Sequence, residues 1–410
     1  MINWGILGLG RMGMAFANAI EETDNSKLIA IASKSGKKFK NFENLSYEDL
    51  IKKNDIDAIY IASLNNTHTE LIKQISKEGK KILCEKPVSL SLEDLIEIEK
   101  LLNKENIKFY EAIAYYSHPQ TVEIIDILKK NNMGEIQRIE SNFGFKAKFK
   151  SDSRLFNKSL GGGSIYDLGC YPISFFMLFA QNYEKISIKS KSLNYAESGV
   201  DDEANLILNY DNKFEGVLNV SLKANLNNNC KIYCENGYIK INEPWLPGQK
   251  TNIEVSVNDH FFIRTVNSNL SIYANQIQNV SESFINNNNN LENNPNLQQN
   301  DIKWFRIIIY LGNLNNISSH FEDDEVLKLR NLIVDEIYSD LSDNDKITAV
   351  EGFLQYEGYF MDLMNEFGSE IDAMAFAIFD KYNINEFQGE LFKRKNKPNP
   401  IFISEMKNLI

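Results

Sequence analysis

The chain opens with a short apolar run, Ile2–Leu7, that leads without a break into Gly8-Leu9-Gly10-Arg11-Met12-Gly13 and a small-residue helical pattern over Met12–Ile20. This junction limits the choice of fold more than any other feature. Glycine at the first position permits a tight strand-to-helix turn. The second lets another group approach the backbone, and the third lets helix and strand pack closely. The helix that starts there presents unpaired N–H groups and a partial positive charge, which suit a pyrophosphate. The spacing therefore predicts a dinucleotide-binding βαβ unit, with Gly8, Gly10, Arg11, Met12 and Gly13 as candidate cofactor contacts. A purely structural glycine turn is the plainer alternative.

Strand-like and helix-like segments continue to alternate as far as about residue 113, with strands Lys27–Ser33, Asp57–Ser63, Lys81–Cys84 and Ile107–Glu111 and helices between them. The strands are apolar throughout rather than alternating, as in a parallel sheet covered on both faces. Beyond His118 the rhythm changes. A helix, Val122–Lys130, and an extended stretch, Glu135–Lys148, precede a helical run at Ser164–Phe179. Strand-like segments then follow one another through Ile241, separated by turn signals such as Asn236-Gly237. The expected fold is α/β: an N-terminal Rossmann dinucleotide-binding domain, 1–118, and an α+β domain, 119–285, with an open, mainly antiparallel sheet. Residues 286–300 are Asn or Gln at 11 of 15 positions, which builds no core and suggests a linker over 286–302. Residues 303–410 read as an acidic α-helical segment of unknown role.

The formal charge of −12 argues against nucleic acid or an anionic membrane as a principal partner. No apolar run reaches the ~18 residues of a membrane span. The N-terminus lacks the pattern of a secretory signal. With four scattered cysteines, the composition fits a reducing cytoplasm.

The choice of cofactor is expected at the end of the second strand, where an NAD enzyme places Asp or Glu. This chain has Ser33-Lys34-Ser35 there, followed by Lys37 and Lys38. A hydroxyl and cations favour a 2′-phosphate, so NADP(H) is preferred, with NAD(H) as the alternative. Cys84-Glu85-Lys86-Pro87 ends another parallel strand, where ligands of open α/β sheets bind. In Gly161-Gly162-Gly163-Ser164-Ile165-Tyr166-Asp167-Leu168-Gly169-Cys170-Tyr171, the four-residue spacing puts Asp167 and Tyr171 on one helix face. A carboxylate, a phenol and a lysine brought together form a proton-transfer group; Asp167 also suits a plain first-turn carboxylate. No metal site is indicated. Cys230 and Cys234 read as a buried pair in a strand. Asp340–Glu351 resembles a calcium loop in part, but Asp345 replaces its glycine.

The three motifs, in this order, resemble the glucose–fructose oxidoreductase/inositol dehydrogenase (Gfo/Idh/MocA) family, over about residues 1–285. Asn65-Asn66-Thr67-His68, Glu111-Ala112 with Tyr115, His118-Pro119-Gln120, Gly134-Glu135-Ile136 and Gly199-Val200-Asp201-Asp202-Glu203-Ala204 add to the likeness. Tyr171, where the inositol dehydrogenases have histidine, is similar to the branch of dihydrodiol dehydrogenases and sugar ketoreductases. The resemblance implies hydride transfer between nicotinamide and a sugar-like carbinol or carbonyl, with Lys86 and Tyr171 as the catalytic pair. In that reading Lys86 lowers the phenol pKa and Asp167 orients the substrate or Lys86. Asn65, His68 and Glu85 shape the cofactor pocket, and Tyr115, His118 and Arg154 line the substrate side. A homo-oligomer through the second sheet is implied too. A nucleotide-sugar ketoreductase and a non-catalytic dinucleotide sensor are the competing functions. Such chains close with one C-terminal helix, whose place here is expected to be taken by the Asn-rich stretch and the acidic segment.

Overall fold

A computed structural model describes residues 1–180, 186–210 and 213–286. The first sheet is built from β1 (Ile2–Leu7), β2 (Ser26–Ala32), β3 (Asn44–Leu45), β4 (Ala58–Ile61), β5 (Lys81–Cys84) and β6 (Phe109–Glu111), and the helices between them are α1 (Arg11–Ala19), α2 (Tyr47–Lys52), α3 (His68–Lys77) and α4 (Leu92–Lys104). All pairings are parallel, in the order β3-β2-β1-β4-β5-β6. Every residue of β4 is buried, as a strand covered on both faces requires. Ser46 and Ser91 start α2 and α4 by accepting from the amides of Asp49 and Asp94, which satisfies N–H groups that a helix end leaves open.

After α5 (Pro119–Lys130) comes a second sheet of β7 (Ile136–Gly144), β8 (Ile186–Tyr195), β9 (Asp201–Tyr210), β10 (Phe214–Ser221), β11 (Asn229–Cys234), β12 (Gly237–Ile241), β13 (Lys250–Val257) and β14 (His260–Asn267), with α6 (Cys170–Phe179) on its inner side. Its order is β14-β13-β12-β11-β7-β10-β9-β8, antiparallel except for β7 with β10. Gly216 leaves room for Phe176 of α6; a Cβ there would stand 2.6 Å from the ring. Cys230 and Cys234 are buried free thiols on β11.

Three elements differ from the sequence expectation. β13 and β14 extend the sheet beyond Ile241, joined through Asn258 and Asp259, both at positive φ. The closing helix is present as α7 (Ile272–Ile285). It crosses back to the first sheet, where Ala274, Ile277, Val280 and Phe284 join Trp4 and Phe16 in one core. The Trp4 indole donates to Ser281 at 2.9 Å, fixing the helix in register. All described residues lie within one compact unit. From residue 287 onward the Asn-rich linker, the acidic segment and the calcium-like loop lie outside the described residues.

Candidate active site

The glycine turn has the shape an anion needs. Gly8 sits at φ +98°, and a Cβ there would be 2.5 Å from the Ala62 carbonyl. A Cβ on Gly13 would be 2.0 Å from the Gly8 carbonyl, so both positions demand glycine. Gly10, by contrast, faces open space. It begins α1 with no side-chain cap and no acidic residue in the first turn. Met14 closes a backbone bond onto Gly10 O at 3.0 Å, and the amides before it are positioned for phosphate oxygens. At the end of β2 the Ser33 hydroxyl lies 3.0 Å from that of Ser35. The Asn44 side chain holds the Ser33 backbone at 2.6 and 3.0 Å, and the exposed Lys34 ammonium stands 5.2 Å from the Tyr47 ring centre. Residues 33–38 carry no carboxylate. The cradle fits a dinucleotide, and its adenosine end fits a phosphorylated ribose.

The carboxyl end of β5 carries Glu85 and Lys86. Glu85 is buried and accepts a hydrogen bond from the Tyr60 phenol. Burial raises the Glu85 pKa above the usual carboxylate value, against the pull of Tyr60 and Lys86. His68, fully buried at the start of α3, places Nδ1 2.8 Å from the Pro87 carbonyl and ties down the strap that follows Lys86. Burial pulls its pKa to about 4, so the ring is neutral. Asn65 reaches Gly161 O at 3.5 Å, and the Tyr166 phenol reaches Leu90 O at 3.5 Å; these contacts join the first sheet's loops to the glycine-rich segment.

That segment turns through Gly161 and Gly163, both at positive φ, into one π-helical turn, Ile165–Gly169, and then α6. Such π-turns concentrate at functional sites. The buried Asp201 carboxylate anchors it, accepting from Ser164 Oγ at 2.6 Å and Ile165 N at 2.8 Å. A Cβ on Gly163 would lie 2.4 Å from Asp201 Oδ1, so glycine is required for this approach.

Here Lys86, Asp167 and Tyr171 come together. The Lys86 ammonium donates to the Asp167 backbone carbonyl and, at 3.2 Å, to Asp167 Oδ1. Arg154 Nη1 donates to the same oxygen at 2.8 Å. Lys86 and Asp167 side chains are each 11% exposed, whereas Arg154 remains 43% exposed and faces outward. Burial opposes the Asp167 charge, but Lys86 and Arg154 outweigh it and hold the carboxyl pKa at about 2. Burial likewise opposes the charge on Lys86, yet Asp167 and its neighbours raise that pKa above the ordinary lysine value. Lys86 Nζ is 5.0 Å from the centre of the Tyr171 ring. Burial raises the Tyr171 pKa; Lys86 pulls it down but does not prevail, so the phenol is held protonated rather than acidified. The net lowering expected for Tyr171 is thus reversed by desolvation.

Tyr115 and His118 turn inward. Tyr115 is fully buried, its phenol 2.8 Å from Ser174 Oγ and 3.3 Å from Tyr171 O, and its ring edges Trp245. It walls the phenol-bearing turn rather than presenting a free hydroxyl. His118 is buried and caps α5, its Nδ1 accepting from Gln120 N at 3.1 Å. Of the substrate-side candidates, Arg154 alone presents an exposed polar group at the Lys86–Asp167 pair. Sequence reasoning met Asp201 within a family motif without giving it a role, and it missed Tyr60 and Trp245, which come from distant segments and follow no local spacing. Among the described residues no group of three or more His, Cys, Asp or Glu is placed to hold a metal ion, and no helix is long and apolar enough to cross a membrane.

A glycine turn on a parallel sheet, and a lysine after the fifth strand of that sheet meeting a carboxylate and a phenol of the second domain, suit a nicotinamide-dependent oxidoreductase. Residues 2–113 match the profile "Oxidoreductase family, NAD-binding Rossmann fold", and residues 121–240 match the "GFO/IDH/MocA C-terminal domain". The trans-1,2-dihydrobenzene-1,2-diol dehydrogenase of Xenopus tropicalis is 31% identical over 255 residues, which span 60% of this chain and 76% of that protein. The mouse enzyme of that name is 26% identical over 258 residues, 60% of this chain and 76% of its own. The chain belongs to the Gfo/Idh/MocA oxidoreductase family. Its fold is shared by an aldose-aldose oxidoreductase from Caulobacter crescentus in complex with glycerol (TM-score 0.66, 19% identity, 77% of this chain and 98% of that one). It is shared too by a 3-ketoreductase from Actinomadura kijaniata in complex with NADP and TDP-benzene (TM-score 0.65, 20% identity, 77% and 96%).

Proposed function

We propose that the protein is an NADP(H)-dependent reductase and dehydrogenase acting on a carbonyl or carbinol of a sugar or sugar derivative. The observation that carries this reading is the Lys86 ammonium, fixed on Asp167 and seated 5.0 Å from the Tyr171 ring centre. The cofactor, when bound, supplies or accepts the hydride. Gly10 and the amides opening α1 hold its pyrophosphate, and Ser33 and Lys34 receive the 2′-phosphate. Tyr171, protonated at neutral pH, donates its proton to the substrate oxygen in the reducing direction and recovers it in the other. Lys86 keeps a positive charge beside that oxygen, and Asp167 with Arg154 holds Lys86 in place. A regulator that only senses the dinucleotide has no need of this group.

A second reading, a ketoreductase of nucleotide-linked sugars, is favoured by the exposed Arg154 guanidinium and by the exposed Lys146, Lys148 and Lys150 on the loop that leads to it, which suit an anionic substrate. The likeness to the TDP-benzene-bound ketoreductase agrees with it. For assembly, we propose a homo-oligomer through the outer face of the second sheet, where Asn142, Asn219 and Asn229 form an amide ladder at 2.8 and 2.9 Å; sedimentation of the purified protein as a monomer would exclude it. A panel of aldoses, ketoses, trans-diols and nucleotide sugars, followed by NADPH absorbance, tests the function. Turnover of at least one carbonyl or carbinol class is expected, and inertness toward all of them contradicts the reading.

A further inference from the structure

We propose that Tyr273, on the closing helix α7, is a cofactor-binding residue whose phenol donates a hydrogen bond to the pyrophosphate or the nicotinamide ribose of the dinucleotide. This rests on the reading that the glycine turn binds NADP(H). The Tyr273 oxygen lies 3.9 Å from Met12 Sδ, within the turn itself. A thioether is a weak acceptor, so this partly buried phenol keeps its O–H available to a stronger acceptor at the edge of the phosphate cradle. The phenol also lies within electrostatic reach of Glu85, Arg11 and Lys86, and of Tyr60 and Tyr171. Burial, then Glu85, raises its pKa, keeping it a donor at neutral pH.

The position is fixed from several sides. Ser271, which caps α7, donates through both N–H and Oγ to the Glu22 carboxylate at 2.8 Å. Asn279 donates to Ser117 O at 3.1 Å, and Trp4 holds Ser281. Helix α7 thus does more than cover the sheet: it follows β14, the edge strand of the second sheet, and sets one donor beside Met12. A donor arriving this way couples cofactor binding to the docking of α7.

Full-length protein and its Tyr273→Phe variant are titrated with NADPH by fluorescence and, separately, with adenosine 2′-monophosphate, which lacks both pyrophosphate phosphates and the nicotinamide. The Kd for NADPH is expected to rise about tenfold in the variant, with that for the monophosphate unchanged. The cofactor-free Tm should stay within about 2 °C of wild type, since the ring is retained. Equal NADPH affinity in the two proteins overturns the proposal. So does an equal loss for both ligands, which marks a general structural defect. Failure of the wild type to bind NADPH at all defeats the underlying reading instead.

Discussion

The Lys86 ammonium stands 5.0 Å from the centre of the Tyr171 ring while its hydrogen bonds go to Asp167. The lysine is therefore a fixed charge in the site, and its position depends on the carboxylate. Asp167→Asn removes that charge and leaves Lys86 with a neutral partner. The folded Asp167 pKa of about 2 lies below its ordinary 3.8, so the ionised group favours folding above about pH 4, and the contribution is lost as pH falls toward 2. The variant is expected to be about 2 kcal/mol less stable at pH 7, with the gap closing in acid. Denaturant unfolding across that pH range measures it, and a gap independent of pH contradicts the assignment.

Asp201 has the opposite sign. Burial raises its pKa to about 6 although Ser164 and Ile165 donate to it. Its ionised form thus opposes folding above pH 6, and that cost fades between pH 6 and its ordinary 3.8. Asp201→Asn retains an acceptor and is expected within about 1 kcal/mol of wild type at pH 7, while Asp201→Ala orphans two buried donors and costs about 2 kcal/mol or more. Wild type should gain on the Asn variant as pH drops from 7 to 4.5. A loss on acidification refutes this account of the cap.

The three glycines of the phosphate turn separate fold from ligand. Gly13→Ala, whose Cβ would meet the Gly8 carbonyl at 2.0 Å, is expected to destabilise the protein by about 1–3 kcal/mol. Gly10→Ala enters open space and should leave the Tm within about 2 °C, yet weaken NADPH binding at least ~10-fold by crowding the phosphates. Thermal melts and cofactor titrations on both variants decide it. Undiminished NADPH affinity in Gly10→Ala would place the pyrophosphate elsewhere.

In the proposed reading Lys34 and Ser33 carry the choice of cofactor. Lys34→Ala is expected to weaken NADPH about fivefold and leave NADH unchanged, the scale of one exposed charge pair. A wild-type preference for NADH in thermal-shift titrations would overturn the NADP(H) assignment.

Much of this was legible in the sequence because the relevant signals are local. Gly8, Gly10 and Gly13 report their own steric surroundings, and the four-residue spacing of Asp167 and Tyr171 survives although the first turn is π-helical. β13 was legible too: Thr251, Ile253, Val255 and Val257 alternate inward, and Ser271 followed by Ala274, Ile277 and Val280 marks α7. The sequence reading kept both within the 119–285 domain but named no element after Ile241. Other features had no local signature. Tyr115 and His118 sit in a suggestive segment, but only packing shows that one supports the Tyr171 turn and the other caps a helix. The upward shift at Tyr171 depends on how much protein surrounds it, which residue spacing does not encode.

The proposed role of Tyr171, moving the substrate's proton beside a lysine held by Asp167, has one direct test. Single-turnover oxidation of saturating NADPH, with a substrate found by the panel, should be compared between wild type and Tyr171→Phe. A fall of about 10²-fold or more in the hydride-transfer rate, with NADPH affinity unchanged, is predicted. A rate within about threefold of wild type would contradict the account.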